Sequence, residues 1–261
     1  MNVLAYGDCR LSLVPVRAEA REAAEMVNQL IFGDRYQVLE YHATKDWIRI
    51  ASAFDGYEGW IGAKLHHEIS EQFYFELEER TPVISLSFCS KLVLGNQAHQ
   101  IVLGSQLPLQ PDSMFHRDEN ISFEGKSHTV KKIKNTKILK ELASYYLNSP
   151  YLWGGKSPFG IDCSGFTQMV YRMAGYAIKR DASQQAKQGL QVPLRDAVLG
   201  DLAFFHNKEG RITHVGLVLE DLKIIHASGF VRVDQLDERG ILNMQSKQYT
   251  HELSHLTRII S

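Results

Sequence analysis

Cys163, His214 and His226 are three residues whose types and spacing could support covalent catalysis. Cys163 stands in YLWGGKSPFGIDCSGFTQMVYRM (151–173), where a glycine-rich stretch gives way to helical periodicity. Phe166, Met169, Val170 and Met173 recur at i, i+3, i+4 and i+7, and Gly175 follows. If Asp162 or a neighbour caps that helix, the thiol falls in its first turn. Unpaired N–H groups and the positive end of the helix dipole there favour a thiolate, and the same groups can hold the oxyanion of a tetrahedral intermediate. The amides around Cys163 and Ser164 are the expected oxyanion donors.

THVGLVLE (213–220) and KIIHAS (223–228) read as consecutive strands. A tight turn centred on Glu220 would set His214 and His226 opposite or nearly opposite, with Cβ atoms about 5 Å apart, so that one imidazole orients the other. A base and its orienter are what a cysteine nucleophile requires. Gly216, on the strand face of His214, leaves room beside it. Each residue also has a plain structural reading. Free cysteines most often serve as buried apolar filler, the reading retained for Cys9 and Cys89, and single histidines on strands most often pack. The trio could also ligate zinc, but zinc sites normally include a short-range pair such as CxxC or HxxxH, and separations of 51 and 12 residues supply none. No metal and no cofactor is expected.

The elements that must position these groups begin near residue 131. KKIKNTKILKELASYYLN (131–148) spaces Ile138, Leu142 and Tyr145 or Tyr146 helically and stops at Pro150, a helix follows Cys163, and a shorter one is predicted over 182–188. GDLAFF (200–205) and the two histidine strands come after, so helices precede a sheet and the domain is α+β. Upstream, RYQVLEY (35–41), DWIRIAS (46–52) and YEGWIGA (57–63) alternate at strand length between turns and imply a small antiparallel barrel. PVISLSFCSKLVLG (82–95), HQIVLGSQLPL (99–109) and NISFEGKSHTV (120–130) imply a second. The expected domains are 1–68, 69–131 and 132–261.

With 44% hydrophobic and 23% charged residues in 261, the chain is globular, and a formal net charge of −1 gives no long-range attraction to nucleic acid or anionic lipid. The first 20 residues lack a basic flank followed by an apolar core, and no run reaches the ~18 apolar residues of a membrane span. Cysteines at 9, 89 and 163 form no CxxC pair. The expectation is a soluble, cytoplasmic monomer in a reducing compartment, with neither nucleic-acid nor membrane partners.

YLWGG…GIDCSGFTQMVYR, RDASQQ (180–185), GDLAFF, ITHVGLVL and IIHASG, in this order, resemble the NlpC-type cell-wall cysteine peptidases, a papain-like family, over most of 135–261. The resemblance implies that Cys163 is the nucleophile, His214 the base and His226 its orienting partner, with Tyr151 near the thiol. VPVRAEA…AEMVNQLIFGDRYQVLE…DWIRI…DGYEGWIGA resembles bacterial SH3-like domains. Two such modules ahead of this catalytic domain look like the γ-D-glutamyl-L-diamino-acid endopeptidases, the dipeptidyl-peptidase VI type. That implies a murein-derived peptide as partner, cut between γ-D-Glu and lysine or diaminopimelate when its N-terminal L-Ala is free. An ammonium in a cleft calls for carboxylates and hydroxyls. The candidates are Asp162, Ser164, Asp181 and Ser183 with Glu25 and Tyr57, while Arg180 would neutralise Asp181 or hold the diamino acid's carboxylate. Asp162, Asp181 and Ser183 also read as helix caps. A thiol amidase or acyltransferase would use the same trio, and a non-catalytic wall-peptide-binding protein is the alternative from another class.

Overall fold

A computed structural model describes residues 3–108, 121–132 and 135–260. The chain divides into two compact units, one of Met1–Lys131 with Gly154–Ser157, the other of Lys132–Trp153 with Pro158–Ser261.

The first unit opens with β1 (Ala5–Asp8), β2 (Leu13–Arg17), β3 (Met26–Ile31), β4 (Arg35–Tyr41), β5 (Trp47–Ser52), β6 (Glu58–Gly62) and β7 (Glu68–Ile69), in the order β3-β2-β6-β5-β4-β1-β7. Alternation in β4 and β5 turns Tyr36, Val38, Ile48 and Ile50 into a core shared with Cys9, Val14, Val16, Leu30 and Ile61. The period-2 pattern read from the sequence is this buried face. Next comes α1 (Glu71–Glu79), capped by Ser70, whose Oγ accepts from the Phe73 N–H at 3.2 Å. The sequence reading placed no helix there. Then β8 (Val83–Ser85), β9 (Cys89–Leu94), β10 (Gln97–Val102), β11 (Gln106–Leu107), β12 (Ile121–Glu124) and β13 (Ser127–Thr129) form two three-stranded sheets, β10-β9-β12 and β11-β8-β13. Residues 109 and 120, which end and begin two of the expected strand stretches, lie outside the described residues. The excursion Gly154–Ser157 carries β14 (Lys156–Ser157). A β-carbon on Gly154, at φ +76°, would sit 2.3 Å from the Met26 carbonyl oxygen, so this backbone approach requires glycine.

The second unit is α+β. It contains α2 (Lys137–Ser144), β15 (Gly160–Ile161), α3 (Cys163–Met173), α4 (Ala182–Gln185) and β16 (Leu190–Val192), then β17 (Leu202–His206), β18 (Ile212–Val218), β19 (Lys223–Ser228), β20 (Phe230–Asp237), β21 (Gly240–Leu242) and β22 (Tyr249–Arg258). The sheet runs β16-β22-β17-β18-β19-β20-β21, and β22 pairs β21 as well, so β17 to β22 close on themselves. Every residue of α3 is buried. Its apolar members Phe166, Met169, Val170 and Met173 each contribute about 1.5–3 kcal/mol of burial, and its polar ones must be paired. Thr167 Oγ1 donates to Gln185 Oε1 at 2.7 Å, Gln168 Nε2 donates to the Ile178 carbonyl at 3.1 Å, and Gln185 Nε2 donates back to the Ser164 carbonyl at 2.9 Å. α3 packs on β18 and β19, which brings the start of the helix to the strands that carry the two histidines.

Candidate active site

Asp162 is the N-cap of α3. Its side chain accepts from the Gly165 N–H at 2.6 Å, so the helix starts at Cys163. Arg180 grips the same carboxylate, Nη1 to Oδ1 at 3.0 Å and Nη2 to Oδ2 at 2.6 Å, while Ser164 Oγ donates to it at 3.3 Å and accepts from Arg180 Nη1 at 3.0 Å. A planar guanidinium forked onto a buried carboxylate fixes the geometry of that first turn.

Cys163 is 6% exposed. Burial pushes its thiol up to about 12 and the Asp162 carboxylate adds to the rise; a hydrogen bond from the Val215 N–H, the charge of Arg180 and the Ser164 N–H offset only part of it. The sulfur therefore rests as a thiol. The thiolate favoured by helix position alone is not the resting state, because desolvation outweighs the amides.

His214 on β18 and His226 on β19 share a sheet face. Their hairpin turns through Asp221 and Leu222, both left-handed at φ 58° and 50°, and the ladder pairs Leu217 with Ile225 and Val218 with Ile224. The turn is thus centred on Asp221, one residue later than Glu220, and the histidines sit diagonally. Continued one step, the register sets His226 against Gly216, where a β-carbon would lie 2.9 Å from that of His226. The absent side chain lets the rings meet. His214 Nε2 is 2.8 Å from His226 Nδ1, with ring planes at 82°. Burial, then the neighbouring rings of His226 and His251, hold His214 well below the usual imidazole value, so it is neutral at pH 7 and able to accept a proton.

Two residues absent from the sequence reading complete this cluster. Asp234 of β20, 1% exposed, has Oδ2 3.1 Å from His226 Nε2. Burial acts to raise its pKa, but hydrogen bonds from His226 and the Met244 N–H and the charge of Arg232 bring it to about 2. His251 of β22 packs against both His214 and His226. Since His214 Nε2 and both ring nitrogens of His226 are engaged within the cluster, the pair is not disposed to ligate zinc.

The remaining candidates fall in three places. Tyr151, bridged to Ile161 and half-buried, has its phenol pushed up by burial and further by Cys163 and Asp162, which puts it within their electrostatic reach. Asp181 is the N-cap of α4, its N–H donating to Gln184 Oε1 at 3.3 Å, and Ser183 is exposed on that helix. Glu25 and Tyr57 belong to the first unit. Glu25 is exposed just before β3, with its carbonyl accepting from the Ala18 N–H, and Tyr57 donates its N–H to Asp55 Oδ1 at 3.0 Å.

Residues 148–252 match the NlpC/P60 family, and residues 16–64 match the bacterial dipeptidyl-peptidase Sh3 domain. The gamma-D-glutamyl-L-lysine dipeptidyl-peptidase of Bacillus subtilis (strain 168) is 48% identical over 89 residues, a match spanning 33% of this chain and 30% of that protein. Dipeptidyl-peptidase 6 of Lysinibacillus sphaericus is 29% identical over 260 residues, spanning 87% of this chain and 90% of that one. A solved NlpC/P60 family protein from Bacillus cereus superposes with a TM-score of 0.80 at 18% identity, over 98% of this chain and 100% of the other, which shows the fold. With a family match over the very segment that holds Cys163, His214 and His226, the chain joins a bacterial dipeptidyl-peptidase SH3 domain to a cysteine peptidase domain of the NlpC/P60 family.

Proposed function

We propose that the protein is a cysteine endopeptidase that hydrolyses the amide between γ-D-Glu and an L-diamino acid in short murein peptides with a free N-terminal L-Ala. The observation that carries the reading is a thiol at a helix start, touched by the Val215 and Ser164 amides, beside a strand whose His214 is neutral and hydrogen-bonded to His226. Similarity to proteins named gamma-D-glutamyl-L-lysine dipeptidyl-peptidase supports the bond type.

In this mechanism His214 takes the Cys163 proton as the sulfur attacks the γ-carbonyl, because a thiol at about 12 does not ionise ahead of attack at pH 7. The C–S bond forms, and the helix N-terminal amides around Cys163 and Ser164 are the donors for the oxyanion. Collapse breaks the C–N bond, with His214 protonating the leaving amine of the diamino acid. Water, deprotonated by His214, then hydrolyses the thioester to a free γ-carboxylate and restores the thiol. Tyr151, Ser164, Asp181 and Ser183 are the second unit's candidates for the peptide's amine end, with Asp162, tied to Arg180, framing it. A role in cytoplasmic peptide recycling is part of the proposal, and three free thiols accord with a reducing compartment.

Cys163→Ala should abolish cleavage of L-Ala-γ-D-Glu-diaminopimelate and of its lysine counterpart while leaving the melting curve in place; retained turnover overturns the assignment. Equal hydrolysis of amine-acetylated and free peptides would remove the free-amine requirement. Product analysis showing acyl transfer to an amine in place of hydrolysis would move the protein to the acyltransferases.

A further inference from the structure

Asp234 anchors the far end of the histidine pair. In the β19–β20 ladder His226 pairs with Arg232 and Ile224 with Asp234, so Asp234 stands diagonally across from His226 on the same face. Its two oxygens divide their donors. Oδ2 lies 3.1 Å from His226 Nε2 and 2.9 Å from Arg232 Nε; Oδ1 accepts from Arg232 Nη2 at 3.2 Å and from the Met244 N–H at 2.8 Å. An ionised carboxylate can only accept, so the hydrogen of the His226–Asp234 contact resides on Nε2. A neutral His226 then has a lone pair at Nδ1, and the 2.8 Å contact from His214 Nε2 must be a donation by His214. A neutral His214 that spends its hydrogen at Nε2 keeps its lone pair at Nδ1.

We infer that Asp234 is a positioning residue that sets the tautomers of both imidazoles, so that His214 presents an unprotonated Nδ1 as the base. Arg232 has a second effect: by neutralising the carboxylate it leaves Asp234 to orient the pair more than to stabilise the charge that develops on His214. The inference rests on the reading of His214 as the base, and its test is built to stand without substrate.

The test is ¹⁵N–¹H correlation of the imidazole nitrogens in the full chain at neutral pH, wild type against Asp234→Asn, with kcat and KM measured in parallel. The expected wild-type result is a hydrogen on Nε2 of both His226 and His214. In the isosteric variant the amide Oδ1 remains with Arg232 Nη2 and the Met244 N–H, which turns Nδ2 to His226. His226 and His214 then shift towards Nδ1-protonated forms, and kcat falls about 10- to 100-fold with KM little changed, the scale of losing an outer partner of a working imidazole. A wild-type spectrum with the hydrogen on Nδ1 of His226 overturns the inference, and needs no variant to fold. So does a folded Asp234→Asn protein with unchanged tautomers and kcat within about threefold of wild type. Because the tautomers are read without substrate, a wild type that leaves murein peptides intact while showing the expected spectrum would sink the proposed substrate and not the role of Asp234.

Discussion

His251 lies over His214, with ring centroids 4.1 Å apart and planes inclined by 24°, so the strand that closes the sheet roofs the proposed base with a second imidazole. The stacked ring shields one face of His214 from water, and a proton on either ring disfavours one on the other.

Removing that roof should therefore make His214 easier to protonate. In His251→Ala the acid limb of the kcat/KM profile should move upward, towards the 6.5 of an ordinary imidazole, whereas His251→Phe keeps the covering face and should keep the limb low. Superimposable profiles for wild type and His251→Ala would show that the stack does not tune the base.

The resting thiol makes its own prediction. Alkylation of Cys163 by iodoacetamide, followed by mass spectrometry of the modified peptide, should accelerate continuously from pH 6 to 10, because burial carries the thiol to about 12. A rate already on a plateau at pH 7 would mean a standing thiolate, and with it a proton handed over before substrate arrives.

Arg180, 1% exposed, answers the buried charge of Asp162. Arg180→Met should leave that carboxylate without its fork and lower stability by about 3–5 kcal/mol in urea unfolding. Arg180→Lys should recover only part of the loss, since one ammonium cannot span both oxygens.

Acid should unfold the second unit through its histidines. Below the ordinary value of 6.5 the unfolded chain takes up protons that folded His214 and His251 refuse, the latter down to about 4. The folded values are depressed, so the contribution is fully present above pH 6.5 and drains away as pH falls towards 4. For His251 alone the loss reaches on the order of 3 kcal/mol by pH 4. Thermal melts from pH 7.5 to 4 check this, and His251→Phe should flatten the slope.

The sequence was legible where structure is local. The helix after Cys163 shows in the spacing of Phe166, Met169, Val170 and Met173, and the cap at Asp162 follows from its residue type. The histidine hairpin shows in two apolar runs, but its register depends on the left-handed pair Asp221 and Leu222, which neither residue advertises, and so the turn centre falls one residue later than the tight turn suggests. α1 is legible in the sequence, since Ser70 ahead of EQFYFELEE is an N-cap before a helix-favouring run. Asp234 and His251 were not readable, because only the pairings of β20 and β22 bring them to His226 and His214. The direction of the thiol's pKa escaped for a related reason: a helix start is visible in four residues, while the burial that overrides it is a property of the whole unit.

The last strand, β22, hydrogen-bonds to β16, β17 and β21. A growing polypeptide that has not yet delivered Tyr249–Arg258 consequently holds β17 and β21 with bare ladder edges, open to pairing with other chains. The same strand that covers those ladder edges also carries His251 onto His214, so edge protection and the imidazole cluster depend on one element.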